Sequence, residues 1–311
     1  MKQIKNFLKK FYILRLLNLY KHQWILKTLY STDEKKEKYI KKKFKENVGY
    51  EIDFSKEPET FNEKIQFRKL YDKNPLYSIC ADKYRVREYV KNKIGEEYLI
   101  PLYLVTDKLT EEQWDKLPNS FVAKANHNSG PVQIVKDKNK VNKKEIIKEL
   151  NLQLKVDYGI LSMEKYYSDI PRKIIVEKFL KTEGPLNDYK IHCFKDKLGN
   201  RNIFIEHILD SNDLGKLTSC FYSATWEKIG LSLNGIDYNK KIEKPKNLEK
   251  MIKIANKLSE DFGYVRVDLY NLDGKIYFGE LTFCNWSGFG KFSNEEWNSK
   301  FGNYWYQQKL K

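Results

Sequence analysis

Residues 2–30 alternate Lys and Arg with Leu, Ile, Phe, Tyr and Trp at helical spacing, with Ile4, Phe7, Leu8, Phe11, Ile13, Leu14 and Leu17 along the apolar stripe. Such a stripe admits two readings: a basic amphipathic helix lying on a membrane face, or a helix packing its apolar side on the protein body. Residues 31–48 read as a solvated charged helix or linker. Further helices are expected over 82–93, 143–155 and 248–262. Strands are expected over 98–105, 121–124, 132–135, 173–180, 188–194 and 203–208. No internal repeat or low-complexity tract interrupts the series. Strands and helices mixed with neighbouring hairpins predict α+β subdomains rather than a regular βαβ succession.

Near the C-terminus two apolar, aromatic-rich runs, 264–270 and 275–283, flank Asn271-Leu-Asp-Gly274, a tight-turn sequence. A three-residue loop Leu272-Asp273-Gly274, with Gly274 left-handed, pairs Asn271 with Lys275. Arg266 then faces Glu280 and Asp268 faces Phe278, so Arg266, Asp268, Glu280 and Thr282 share one face. Asp268 and Glu280 become diagonal neighbours roughly 7–8 Å apart. That separation suits Mg²⁺, whose oxygen ligands sit about 2.1 Å away. A one-residue slip would divide the two carboxylates between opposite faces. The competing reading is a solvated hairpin face with a simple Arg266–Glu280 ion pair.

Composition narrows the field less than this hairpin does. A chain of 311 residues with 41% hydrophobic and 14% aromatic content folds into two or three subdomains. Lys+Arg of 58 against Asp+Glu of 42 gives a net charge of +16, which suits nucleic acid, an anionic membrane, or a phosphate- or uronic-acid-rich substrate. The excess is lysine spread along the whole chain, so charge alone does not choose the partner. Cys80, Cys193, Cys220 and Cys284 form no C-x-x-C pair, which fits a reduced, cytoplasmic setting without structural zinc. No apolar run reaches the ~20 residues of a membrane span. Charges at Arg15, Lys21 and Lys27 make the start unlike a signal peptide.

A second group of residues lies upstream. Phe121-Val-Ala-Lys124-Ala-Asn126-His127-Asn128-Ser129-Gly130-Pro131 is a strand entering a small polar loop, with 132–135 returning. Backbone N–H groups of such a loop can close over phosphates while a preceding lysine neutralises them; strand–turn–strand units with a lysine are also common as plain structure. Ile174-Ile-Val-Glu177-Lys178-Phe179-Leu180 is an apolar strand ending in charge, able to offer its backbone to an adenine edge and a carboxylate to ribose, or simply leaving a sheet. Lys190 either faces the same cleft or is exposed. His127 either touches phosphate or has no role. His22, His192 and His207 read as packing or surface residues, since no pair has metal-ligand spacing. Ser287-Gly288-Phe289 can bind an acceptor by position, with Trp286 as a sugar-stacking face or as ordinary core.

Asp82-Lys83, Lys124 with its loop, Glu177 to Leu180, Lys190, and Arg266-x-Asp268…Glu280-x-Thr282 in that order resemble the ATP-grasp superfamily. More narrowly, Phe61-Asn-Glu-Lys-Ile-Gln-Phe-Arg68, Asp82-Lys-Tyr-Arg-Val-Arg87, Ile94-Gly-Glu-Glu-Tyr-Leu-Ile-Pro101 and Gly279-Glu-Leu-Thr-Phe283 resemble the teichuronopeptide-biosynthesis (TupA-like) branch of bacterial cell-surface polysaccharide proteins, over roughly 55–300. The resemblance implies an α+β ATP-grasp fold whose two subdomains clasp nucleotide. It divides the chain into a helical extension (1–54), a pre-grasp region (55–120), a small subdomain with the phosphate lid (121–180) and a large subdomain with the metal hairpin (181–311). By resemblance Lys124 and Lys190 contact phosphates, and the lid runs from Asn126 through Ser129 to Gly130. Glu177 and the backbone of Lys178 to Leu180 hold adenine, and Glu183 holds ribose. Asp268, Glu280 and Thr282 ligate Mg²⁺, and Arg266 stabilises the transferring phosphate. Thr282 replaces the superfamily's usual Asn.

The activity implied is an ATP- and Mg²⁺-dependent carboxylate–amine ligase forming an amide through an acyl phosphate. Its expected partners are ATP, a uronic-acid acceptor and an amine donor, with contact to membrane or polysaccharide-assembly proteins and none with nucleic acid. A kinase using the same nucleotide site is one rival. A sugar transferase is another, although no two aspartates here are spaced Asp-x-Asp.

Overall fold

A computed structural model describes residues 2–182, 187–209, 218–233, 236–237, 242–272 and 274–307. Its helices are α1 (Lys2–Leu29), α2 (Asp33–Val48), α3 (Phe61–Tyr71), α4 (Leu76–Cys80), α5 (Val86–Ile94), α6 (Glu111–Asp115), α7 (Lys143–Gln153), α8 (Tyr158–Ser162), α9 (Leu248–Ser259) and α10 (Glu296–Tyr304). Its strands are β1 (Leu102–Thr106), β2 (Phe121–Ala125), β3 (Gln133–Val135), β4 (Ile174–Lys178), β5 (Asn187–Lys195), β6 (Arg201–Leu209), β7 (Thr218–Ser223), β8 (Ile236–Asp237), β9 (Tyr264–Leu272) and β10 (Lys275–Thr282). The chain divides into two compact units, 1–39 with 101–179, and 40–100 with 180–311.

The first unit holds an antiparallel sheet in the order β1-β4-β2-β3. Alternation along β2 decides its two faces. Phe121 and Ala123 point into a core with Ile174, Val176, Trp114, Ile147 and Leu150, while Val122 and Lys124 point the other way. Capping is explicit: Thr110 and Gln113 form a reciprocal capping box on α6, and Asn142 caps α7 through the Glu145 amide.

The second unit holds a six-stranded sheet in the order β10-β9-β5-β6-β7-β8, antiparallel except for the β7–β8 pair. One face packs on α9, whose Leu248, Met251, Ile254 and Leu258 recur at i, i+3, i+6 and i+10 and are buried. Burying each stabilises the unit by roughly 1.5–3 kcal/mol before entropy is counted. The other face meets α3 and α10 through an aromatic cluster, with Phe61 against Phe194, Tyr264 and Phe301. Arg68 of α3 lies beneath it, 2% exposed, its guanidinium 4.2 Å from the Trp305 ring and donating to the carbonyls of Tyr264 (3.0 Å) and Phe283 (2.7 Å).

Three expectations change. The helix expected from residue 82 starts at Val86, because the Asp82 carboxylate turns back to accept from the Tyr84 amide (2.8 Å) and Arg85 Nε (2.7 Å). The strand expected from residue 98 starts at Leu102, after a short 3-10 turn over Glu96–Tyr98 that follows Gly95 at φ 107°. The hairpin register also differs. Lys275 pairs with Leu272, so two residues, Asp273 (outside the described residues) and Gly274 (φ 93°), join the strands. Continued unbroken, that register would set Glu280 opposite Val267 on the wrong face. A bulge between Phe278 and Glu280 restores it: Asp268 faces Glu280 and Arg266 faces Thr282.

α10 crosses the start of α3 at Gly302, where an added Cβ would lie 1.9 Å from the Glu59 carbonyl oxygen. Backbone cannot yield as a flexible side chain can. Gly302→Ala should therefore destabilise the protein by ~2 kcal/mol or more, read as a lower urea midpoint at unchanged m-value. An unchanged midpoint would mean the two helices are free to separate.

Candidate functional site

In the second unit the register gathers charge on one sheet face. Asp188 and Lys190 are two apart on β5, Lys190 pairs with Asp268 on β9, and Asp268 with Glu280 on β10. Arg266 stands two residues before Asp268. Its Nε and Nη2 donate to the two Asp268 oxygens (2.7 Å each), Nη2 also to Glu280 (3.1 Å), and Nη1 to Asn285 Oδ1 (2.5 Å). Lys190 Nζ bridges Asp188 (2.8 Å) and Asp268 (2.9 Å). Thr282 donates to Glu280 (3.0 Å), and Lys83 Nζ lies 4.0 Å from Glu280's other oxygen. The Asp268 side chain is 4% exposed and that of Glu280 41%, so the cluster opens on the Glu280 side.

The electrostatics follow from this packing. Burial alone would push the Asp268 carboxyl up, but Arg266 and Lys190 pull it down, to about 2. Burial works against the Arg266 charge, yet Asp268 and Glu280 hold its pKa above the ordinary value. Lys190 is likewise desolvated but raised, chiefly by Asp268. Asp188 goes up, from burial and then from the neighbouring Asp268 charge, with Lys190 opposing. Among the described residues no group of three His, Cys, Asp or Glu side chains is arranged to hold a metal unaided. Two directly facing carboxylates do fit Mg²⁺ shared with phosphate, since that ion keeps waters and phosphate oxygens and takes only one or two carboxylates from protein.

The same face continues inward. His192 Nδ1 lies 3.1 Å from the Tyr264 hydroxyl and Nε2 3.2 Å from Glu206, all three fully buried. Burial pushes the His192 pKa down, so a neutral ring accepting from Tyr264 and donating to Glu206 satisfies both contacts.

In the first unit Lys124 Nζ meets Glu177 at 2.6 Å across β2 and β4. The loop after β2 is braced from beneath. Asn126 donates from Nδ2 to the Pro171 carbonyl (2.9 Å) and accepts at Oδ1 from the Lys173 amide (2.7 Å). His127 is buried with Nε2 2.9 Å from the Val156 carbonyl. Ser129 is exposed and Gly130 half-buried, its amide on Asn128 Oδ1 (3.2 Å). Lys178 closes β4 with its amide on the Pro101 carbonyl (2.9 Å), and half-buried Leu180 follows. Glu183 lies outside the described residues.

Just past β10, Trp286 (φ 48°) and Ser287 (φ 54°) are both left-handed, a costly backbone for side-chain-bearing residues. Buried Gln66 holds them by donating to the carbonyls of Ser287 (3.0 Å) and Gly288 (2.9 Å), and Lys69 by donating to Ser287 O and Oγ (2.6 Å each). Trp286 is 43% exposed, so the core reading of this ring does not stand.

Sequence reasoning missed Asp188 and Asn285 as members of the cluster, and it named Lys83 in the ordered series without giving it a role. Asp188 was findable, because residues two apart on a strand share a face with whatever role Lys190 has. Asn285 arrives through tertiary packing and carries no local signal, and the contact of Lys83 with Glu280 is likewise tertiary.

Asp268 gives a pH prediction. Its pKa is depressed from 3.8 to about 2, so its contribution to stability is complete above the ordinary value and disappears as pH falls through about 2. The shift corresponds to on the order of 2 kcal/mol. Asp268→Asn should therefore show a shallower fall of melting temperature across that window than the unaltered chain. Parallel acid limbs would contradict the buried pairing.

No curated protein sequence matches the chain. Among solved structures it is similar to D-alanine–D-alanine ligase from Helicobacter pylori (17% identity, 66% of this chain and 54% of that one, TM-score 0.37). It is also similar to L-amino acid ligase from Bacillus licheniformis (17%, 67% and 44%, TM-score 0.41). A third is N5-carboxyaminoimidazole ribonucleotide synthetase from Thermus thermophilus (13%, 73% and 52%, TM-score 0.40). The chain spans about half the length of each. The TupA-like ATPgrasp family model matches residues 63–306, which takes in Lys124, Glu177, Lys190 and the whole charged hairpin, and the chain belongs to that family.

Proposed function

We propose that the protein is an ATP- and Mg²⁺-dependent carboxylate–amine ligase. The observation that carries this reading is the buried face on which Arg266 and Lys190 converge on Asp268 opposite Glu280. An acceptor carboxylate attacks the γ-phosphate, giving an acyl phosphate and ADP; an amine then attacks the acyl carbon and expels phosphate. The protein's part is positioning and electrostatics. Lys190 and Lys124 bind phosphate oxygens, with Ser129 and Gly130 at the lid. Arg266, fixed by Asp268 and Asn285, faces the charge that develops on the migrating phosphoryl group. Asp268 and Glu280, with the Thr282 hydroxyl, would hold Mg²⁺, which neutralises the triphosphate. Glu177 with the Lys178–Leu180 backbone serves adenine, and Glu183 the ribose. The nucleotide-handling halves are 121–180 and 181–311, after the 1–54 extension and the 55–120 region.

For the acceptor we propose a uronic acid of a cell-surface polysaccharide or its precursor, in the cytoplasm. The net charge of +16 suits an anionic acceptor. The exposed Trp286 ring, held in place beside Asn285, offers a flat apolar face to a sugar.

Lys124→Ala and Lys190→Ala should each lower kcat/KM for ATP at least tenfold, about 1.4 kcal/mol. Unchanged kinetics in both would leave the lysines structural. Asp268→Asn and Glu280→Gln should abolish Mg²⁺-dependent ADP release while circular dichroism stays unaltered; wild-type turnover in either refutes the metal assignment.

The reaction class has its own test. Oxygen-18 placed in the acceptor carboxylate should appear in released phosphate, because the acyl phosphate breaks at its carbonyl carbon. Neither a hydroxyl kinase nor a sugar transferase moves that label. Amide formed with no label in phosphate would exclude the acyl phosphate, and ATP-independent sugar transfer would exclude the ligase.

A further inference from the structure

α1 offers two different faces, and the structure fixes which of them looks outward. Gln23, 7% exposed, donates from Nε2 to the Lys155 carbonyl (3.2 Å) and accepts at Oε1 from the Asp157 amide (2.7 Å). Leu26 is buried one turn later, Leu19 and Leu16 are half-buried one and two turns earlier, and Arg15 pairs with Glu149 of α7 (3.1 Å). Leu16, Leu19, Gln23 and Leu26 recur at helical spacing as the inward stripe. The helix therefore packs on the body through this stripe and not through the one read from the sequence, whose Leu14 and Leu17 are exposed and whose Ile4, Phe7, Leu8, Phe11 and Ile13 side chains lie outside the described ones.

The opposite side is not satisfied by it. Leu14 (49%), Leu17 (58%), Tyr20 (51%), Trp24 (67%), Ile25 (37%) and Leu29 (46%) lie exposed within sixteen residues. Six of the fifteen exposed large hydrophobic residues among those described therefore fall on one helix face. Scattered exposed apolar residues need no explanation, whereas a band of this kind marks a surface that is covered in use.

Charge decides what covers it. Lys2–Leu29 contains seven Lys or Arg and no Asp or Glu. Lys21, four residues after Leu17 and exposed, stands within the band, where its stem can lie along apolar surface with the ammonium at the headgroups. A second copy of the same helix would set the exposed Lys21 and Lys27 against the same charges, with no acidic residue on either helix to answer them. Nucleic acid would meet the basic residues but leave Leu17, Ile25 and Leu29 without an apolar partner. No described helix is long and apolar enough to cross a membrane. A helix of 28 residues, about 42 Å long, whose outward side over residues 14–29 carries aromatic and aliphatic residues and whose sequence holds only basic charge, has the composition of an element lying in the headgroup region.

We propose that the outward face of α1 docks on the surface of an anionic lipid bilayer, with Leu17 and Trp24 inserted at the acyl boundary. This is independent of the reaction proposed above and is tested without it.

The full chain should sediment with vesicles of phosphatidylglycerol and phosphatidylcholine, not with phosphatidylcholine alone, and less as salt rises. Leu17→Glu combined with Trp24→Glu should lower the partition coefficient by roughly tenfold or more, and Lys21→Glu should lower it as well, with circular dichroism and melting temperature unaltered. Brominated acyl chains should quench the fluorescence of the unaltered chain and quench that of Trp24→Phe less; this comparison decides if the double variant does not fold. Several results overturn the proposal: no sedimentation of the unaltered chain, variants that partition equally, or quenching identical with and without Trp24. So does a dimer in the absence of vesicles that the double variant dissolves, or binding to duplex DNA in place of vesicles.

Discussion

The Arg266–Asp268 pair is the contact on which the second unit's charged face depends. Both ions are almost fully withdrawn from water, and that withdrawal costs several kcal/mol per ion unless geometry and further hydrogen bonds offset it. Here they do. Two donors of one guanidinium meet two oxygens of one carboxylate, Asn285 takes a third donor, and Lys190 and Glu280 extend the alternation of sign. Removing one partner would strand the rest, so the cluster is held to a single geometry. Electrostatic catalysis needs charges already aimed before substrate arrives.

Such a cluster must have dry, stiff surroundings, and the sheet provides them by a gradient along its strands. On the face shared by β5, β6 and β9 the rows run from Phe194 and Tyr264 through Phe204, His192 and Arg266 to Glu206, Lys190 and Asp268. The aromatic end packs against Phe301 and Trp305, and the charged end opens at Glu280. His192 is the transition, a neutral ring joining a buried phenol to a buried carboxylate. α9 covers the opposite face without a charged side chain among its buried residues, so the charges have one side on which to be met.

Much of this was legible in the residues. Alternation in 264–270 and 275–283 predicts the hairpin and the shared face of Arg266, Asp268, Glu280 and Thr282, and these four do share it. The pairing that produces this differs from the expected one, because a shorter loop and a bulge shift the register in two steps. The bulge had a local sign: Gly279 is an isolated glycine inside a strand, where a side chain would press on the Asp268 carbonyl oxygen at 3.0 Å. Lys124 with Glu177, by contrast, joins residues 53 positions apart through the β2–β4 register, and nothing local announces it. Strand ends were overextended at 98–101 and 179–180 because apolar residues continue past the last ladder hydrogen bond.

Both lysines proposed for phosphate are already paired, Lys124 with Glu177 at 2.6 Å and Lys190 with Asp188 and Asp268. This bears on which ligands can compete. A bare anion at Lys190 would take its ammonium from Asp268 and leave a buried carboxylate less well compensated. A bare cation at Asp268 would meet the positive charges of Arg266 and Lys190. A metal–triphosphate complex would bring both signs together, so that under the proposed function Lys190 would exchange carboxylate for phosphate while Asp268 would exchange ammonium for metal. Neither charge is then left alone in low dielectric, and the penalty that excludes each ion singly does not arise. In the proposed reaction that exchange would favour the metal–nucleotide complex over either component, a preference that would follow from burial of the pair and not from any added contact.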